Sequence, residues 1–282
     1  MARGCCLCGA LSYELDGPFS GFDHCHCSMC RKHHGTGFGS YVAAPIAAFR
    51  WVAGEDRCRS YRSSAQGVRS FCEVCGSVGP TTIPEHGIAV VPAAALEGDL
   101  GRKPRSHFFV GSKAPWDDIT DDLPRFDAYP PAFGAAGVDR PTVVSRPGIT
   151  EGSCLCGDVG FEATGAPLRM MNCHCSRCRR GRAAAHATNL FYALDAFRWT
   201  RGAALVTEYK VPDARFHAVA FCSHCGGKLP RVSPERGAVV VPAGSLDTDP
   251  GLRPQAHIFV TDKAPWFDIT GPLPQFPGMP PA

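Results

Sequence analysis

Three cysteines close together, Cys25, Cys27 and Cys30, can wrap one metal ion, and the same C-x-C-x2-C pattern returns as Cys173, Cys175 and Cys178. Structural zinc takes four protein ligands, whereas three ligands and an open position make the catalytic arrangement. Three thiolates around Zn²⁺ leave a net charge of −1, so the metal is a weaker Lewis acid than one held by three histidines. It suits a soft fourth ligand instead, such as a substrate thiol bound as thiolate. Arg31 and Arg179 directly follow the two sets. Each can offset the excess negative charge or grip a substrate carboxylate.

A second group of cysteines comes in pairs. C-x-C and C-x2-C motifs supply Cys6, Cys8, Cys72 and Cys75, then Cys154, Cys156, Cys222 and Cys225. Paired ligands drawn from two distant short motifs are what a closed four-cysteine zinc site needs. Such a site contributes folding energy on the order of 10 kcal/mol in small zinc domains. The glycines after each motif, Gly9, Gly76, Gly157 and Gly226, suit a close backbone turn around the metal. The expected content is about four Zn²⁺ per chain, two per domain. Of the 16 cysteines, Cys5 and Cys58 are left over, with Ser153 and Val206 at the matching positions.

Other readings of these residues remain open at this level. His24, His26 or His33 could close the first three-cysteine set into another structural zinc. A redox disulfide within the set lacks the βαβ context of a thioredoxin-like site. His26 and His174 can be hydrogen-bonded turn residues, and His107 and His257, each opening an apolar run, can be structural. Trp51, Trp116, Trp199 and Trp266 read as packing residues, and Lys113 and Lys263 as solvated or capping ones.

The elements that position these residues come in two copies. Gly4-x-Cys6-Leu7-Cys8-Gly9 recurs at Gly152 to Gly157, and Cys25-His26-Cys27-Ser28 at Cys173 to Ser176, a shift of 148. The shift becomes 150 beyond a two-residue insertion, where Phe71-Cys72 matches Phe221-Cys222 and Lys113-Ala114-Pro115-Trp116 matches Lys263 to Trp266. Repetition over the whole of both halves marks a tandem duplication. The predicted domains are residues 1–128 and 149–282, joined by a Pro- and Gly-rich linker over 129–148. Within each copy, Leu11 to Leu15 and Val159 to Ala163 alternate with period two. Ile88 to Val91, Ala238 to Val241, His107 to Val110 and His257 to Val260 are short β-branched or aromatic runs. Met29 to Gly35 has room for one short helical turn. The fold class expected is mainly β.

Composition narrows the function. A net charge of +3 gives no support for nucleic-acid binding. No apolar run is long enough for a membrane helix. The segment Met1 to Cys6 shows no apolar stretch of a secretory signal, so the cysteines are expected in a reducing, cytoplasmic setting, where disulfides are rare.

The order G-x-C-x-C-G, C-x-C-S-x-C-R, F-C-x2-C-G and a late K-A-P-W resembles the glutathione-dependent formaldehyde-activating family, which shares its domain with centromere protein V. The resemblance covers nearly all of both copies. It implies two tandem Mss4-like zinc-binding β domains packed as an internal pseudo-dimer. It assigns structural zinc to the four-cysteine sets and catalytic zinc to Cys25, Cys27 and Cys30 and to Cys173, Cys175 and Cys178. The implied activity is condensation of formaldehyde with glutathione, a carbon–sulfur lyase reaction on a small thiol or thiol adduct. The alternatives are a noncatalytic zinc-stabilised binding or scaffold module and a zinc hydrolase on a nonthiol substrate. The copies depart from each other at three places: His33-His34 against Gly181-Arg182, Phe38 against His186, and Arg69 against Val219. Many relatives would carry His at this last position.

Overall fold

The computed structural model describes residues 1–65, 67–130 and 146–281. Most of the expected linker, including Pro131, Gly134, Gly137 and Pro141, lies outside them.

Both halves are built mainly from strands. In the first, Ala2–Cys5, Ser12–Leu15 and Phe49–Ala53 form a three-stranded antiparallel sheet. The six-stranded sheet beside it carries Gly21–Cys25 and Gly39–Pro45 at its centre. Their alternation is the cause: Phe22 and His24 of the first strand, and Ser40, Val42 and Ala44 of the second, are buried on one face. The second half repeats both sheets, with Arg169–Cys173 and Ala187–Ala193 in the central places.

Two expected strands are cut short. The runs starting at His107 and His257 pair for only two residues each, His107–Phe108 and His257–Ile258. Phe109 and Phe259 take φ of 59° and 56°, in the left-handed region, and turn each chain into a short 3₁₀ segment. Such a conformation is uncommon for a bulky residue, so the β-favouring composition of the run did not disclose it.

Among the described residues, α-helix is confined to Ser28–His34 (α1) and Ser176–Arg182 (α2). The thiol that precedes each helix caps it: the Cys30 N–H donates to the Cys27 sulfur at 3.3 Å, and the Cys178 N–H to the Cys175 sulfur at 3.4 Å. Cysteines of the candidate metal sets therefore also set where the helices begin. Arg31, Lys32, His33 and His34 fill the end of α1, where cations and donors suit the helix dipole.

The halves pack through reciprocal contacts. Trp116 of the first half is buried in the hydrophobic cluster built mostly by the second, and Trp266 of the second in the cluster of the first, its ring 5.2 Å from Phe22. Removing a ring so placed costs about 3–5 kcal/mol. Lys113 and Lys263 cap the turns that carry these tryptophans, donating to the Asp117 carbonyl at 2.7 Å and the Phe267 carbonyl at 2.9 Å. From α1, the buried Lys32 pairs with Asp247 at 2.7 Å, and the equivalent Arg180 of α2 pairs with Glu97 at 2.8 Å. Thr120 and Thr270, equivalent positions, meet each other at 2.6 Å. Among the described residues, no helix is long and apolar enough to cross a membrane.

Candidate metal centres and the seam between the halves

Strand ends and turns bring the paired cysteines together. The sulfurs of Cys6, Cys8, Cys72 and Cys75 all lie within 4.8 Å of one another, as do those of Cys154, Cys156, Cys222 and Cys225. None of the sixteen cysteines is in a disulfide. Spacings of 3.4 Å for Cys6–Cys8, 3.7 Å for Cys8–Cys72, 3.3 Å for Cys154–Cys156 and 3.9 Å for Cys156–Cys222 bracket the roughly 3.8 Å between sulfurs around tetrahedral zinc. The donor set and its spacing fit that metal. Backbone N–H groups of Leu11 and Val159 donate to Cys6 and Cys154 at 3.2 and 3.3 Å, as suits thiolates. Gly76 and Gly226 have φ of 68° and 69°, and a Cβ there would strike the Phe221 or Phe71 ring of the opposite half. Glycine at these turns thus serves both the metal loop and the seam.

The three-cysteine sets also converge. Cys25, Cys27 and Cys30 form one group within 4.8 Å, and Cys173, Cys175 and Cys178 another, with no His, Asp or Glu among the described residues joining either. The three histidines that might have closed the first set are directed elsewhere. The pleat sends His24 and His26 to the face opposite Cys25, where His24 bonds Ser40 at 2.8 Å and His26 bonds His107 at 2.8 Å. His33 donates to the Ser70 carbonyl at 3.2 Å.

The surroundings of the two sets differ. In the first half, Arg69 Nη1 lies 3.2 Å from the Cys30 sulfur and 3.4 Å from the Tyr41 hydroxyl. Burial opposes the Arg69 charge, but the Cys30 thiolate, then Tyr41 and Cys27, hold its pKa above the ordinary arginine value. In the second half, Val219 and Asn189 occupy those positions. The sequence-chosen Arg179 donates through Nε to the Asp262 carbonyl at 2.8 Å, which ties its side chain to the Lys263 turn. Arg31 sits half-buried on α1.

Against this geometry, the sequence profile of the family described as glutathione-dependent formaldehyde-activating enzyme matches residues 1–112 and again residues 149–262. The chain belongs to this family. A Halomonas elongata protein named for glutathione-dependent formaldehyde activation is 31% identical over 127 residues, 42% of this chain and 81% of that protein. A solved Rhodobacter sphaeroides structure is 26% identical, covers 36% of this chain and 97% of its own, and has a TM-score of 0.30.

This member of the formaldehyde-activating family holds further polar groups that spacing did not disclose. A cavity of about 200 Å³ lies in the seam, lined by His24, His26, His107 and Asp117 of the first half and by His186, His257 and Phe267 of the second. Burial pushes the imidazoles of His24 and His186 well below the ordinary histidine value, so they stand neutral. In the first half a chain of groups runs Asp117, His26, His107, Asp121, with spacings of 3.2, 2.8 and 3.0 Å. The second half keeps the inner pair, His174 and His257 at 2.8 Å, but carries Phe267 and Gly271 where the carboxylates would be. The buried Nδ1 atoms of His26 and His174 both lack a hydrogen-bond partner, but His26 has the Asp117 carboxylate 3.2 Å away and His174 has no counterpart to it.

A third group assembles beside the second four-cysteine set. Asp158 bonds His224 at 2.8 Å and lies 3.3 Å from the Cys156 sulfur. Ala10 and Val74 hold these positions in the first half, so this outer pair belongs to one copy alone. Lys228, also without a counterpart in the first half (Val78), is fully buried and donates to the carbonyls of Gly76 and Gly226. Burial pushes its amine down to about 7.

Proposed function

We propose that the chain is a zinc-dependent carbon–sulfur lyase that acts on a small thiol and an aldehyde, of the glutathione and formaldehyde type. The observation that carries this reading is the contrast between groups of four sulfurs and groups of three. Four thiolates close a metal, whereas three leave a position for substrate. Zinc held there would supply that position and keep a substrate thiol ionised near neutral pH. The two family matches support a glutathione- and formaldehyde-related activity.

Residues of this chain do the rest. In the forward direction the substrate sulfur loses its proton and forms a bond to the aldehyde carbon, and the carbonyl oxygen takes up a proton. Cys25, Cys27 and Cys30, with Cys173, Cys175 and Cys178, set the charge that favours thiolate over hydroxide, and nearby arginines orient anionic groups of the thiol. A cytoplasmic location suits sixteen unpaired cysteines. Residues 1–128 and 149–282 would act as two domains, with about four zinc ions per chain.

Because thiols and formaldehyde also combine unaided, the test is acceleration. Exchange between free formaldehyde and its glutathione adduct, followed by NMR line broadening, should quicken with the zinc-loaded chain and return to the background rate in a C27S/C175S double variant that remains folded. Equal exchange with and without protein would remove the lyase reading. Turnover of an ester or amide without added thiol would favour a hydrolase.

A further inference from the structure

We propose that the two three-cysteine sites have different jobs: Cys173, Cys175 and Cys178 receive a carboxylate-bearing thiol beside His217, Arg177 and Arg236, while Arg69 closes the site of the first half. This rests on the reading of the three-cysteine sets as thiol-binding zinc sites.

In the first half the sulfurs are already engaged. Besides its 3.2 Å contact with Cys30, the Arg69 guanidinium reaches the Cys27 sulfur at 4.0 Å, and the Tyr41 hydroxyl stands 3.6 Å from Cys30. Cys27 and Cys30 are left 7% and 2% exposed. A guanidinium on two of the three sulfurs would offset the −1 charge of a three-thiolate zinc and compete with an incoming thiolate, which would have to displace Arg69 from a buried, charge-assisted contact.

In the second half the corresponding positions are Val219 and Asn189, and among the described residues no guanidinium or phenol is hydrogen-bonded to the sulfurs; the buried Arg182, held by Asn189 at 3.3 Å, acts on Cys178 through its field alone. Cys175 and Cys178 are half-buried and Cys173 is buried, whereas in the first set only Cys25 is half-buried. His217 stands where the first half has Gly67, and its imidazole interacts electrostatically with Cys175. Its Nε2 is buried without a hydrogen-bond partner. A polar atom left so typically costs about 1–3 kcal/mol, and a bound substrate group would satisfy it.

Charge points the same way. Arg177 lies in the field of His217, and Arg236 in the field of both His217 and Cys178. The first half carries Met29 and His86 at these positions. One site therefore has two exposed arginines and the buried Arg182 in the field of its sulfurs and of His217, and the other has a guanidinium in direct contact with its sulfurs. A field of this sign concentrates an anionic thiol at the second site and does little for a neutral one.

The test uses the full chain loaded with Co²⁺, whose thiolate-to-metal absorption changes when a new thiolate binds, alongside calorimetric titration. Glutathione should bind with one equivalent per chain. Binding should vanish in V219R, which copies the first-half residue, and a second equivalent should appear in R69V. Should V219R fold poorly, the surface double variant R177M/R236H serves instead. It should weaken glutathione about tenfold or more while leaving 2-mercaptoethanol within about twofold, a difference near 1.4 kcal/mol. Loss of the glutathione equivalent in C27S but not in C175S, or two equivalents in the wild type, would overturn the assignment while leaving the thiol reading intact. A metal-loaded wild type that binds no thiol would instead sink the thiol reading, and this proposal with it.

Discussion

The ammonium of Lys228 donates to the main-chain carbonyl of Gly76, the glycine that turns the other half's C-x2-C motif. It also donates to the Gly226 carbonyl at 3.0 Å, so one side chain spans both knuckles across the seam. K228M keeps most of the volume but leaves both carbonyls without this donor. A loss of about 1–3 kcal/mol in denaturant unfolding is expected, with zinc content unchanged. Unchanged stability would show that water takes over both carbonyls.

Lys32 and Lys103 both make ion pairs across the seam, with different surroundings. Lys32 is buried and bonds Asp247, the Ser153 carbonyl and the Ser153 hydroxyl. Lys103 and its partner Asp268 are both exposed. K32M should cost about 3–5 kcal/mol, because Asp247 keeps a poorly solvated charge, whereas K103M should cost less than about 1 kcal/mol. Equal costs, measured by urea titration, would contradict this ordering.

The two kinds of cysteine set should respond differently to metal removal. C72S or C222S breaks a closed set that ties distant segments together, and should give a chain that unfolds cooperatively at lower temperature or fails to fold. C27S or C175S should each lower the zinc content by about one ion per chain while retaining the far-ultraviolet spectrum. Metal analysis of the wild type should return about four zinc ions per chain, and two would argue against metal at the three-cysteine sets.

His34 links acid stability to the seam. Its ring donates from Nδ1 to the Arg182 carbonyl at 2.8 Å and meets the Tyr41 hydroxyl through Nε2 at 2.7 Å. Burial pushes its pKa from 6.5 down to about 4, with Lys228 and Arg69 adding to the shift and Cys30 opposing it. Between those values the unfolded chain binds a proton that the folded chain does not. Stability should therefore fall as the pH drops from 6.5 toward 4, by up to about 1.4 kcal/mol per pH unit for this group. H34Q should remove that part of the slope, and parallel wild-type and variant profiles between pH 4 and 6.5 would show that His34 is not its source.

The grouping of the cysteines, the duplication, the mainly β class and the short helix near Met29 to Gly35 were legible in the residues alone. These features are local or repeated: thiol spacing fixes which sulfurs can share a metal, and period-two burial marks a strand before any partner is known. The unequal surroundings of the two three-cysteine sets were not legible in this way. The exchange of Arg69 for Val219 is visible in an alignment of the halves, yet nothing in it places a guanidinium on Cys30, because 39 residues separate them in the chain, with strands of three sheets between. Nor does the chain's order reveal that His217, Arg177 and Arg236 share one field, that Trp116 and Trp266 trade cores, or that Lys228 reaches Gly76 across 152 positions. Sequence determined which atoms can bind metal, since that depends on residue type and short spacing. Tertiary structure alone decided what stands beside each metal site, since that depends on which distant elements the seam between the halves brings into contact.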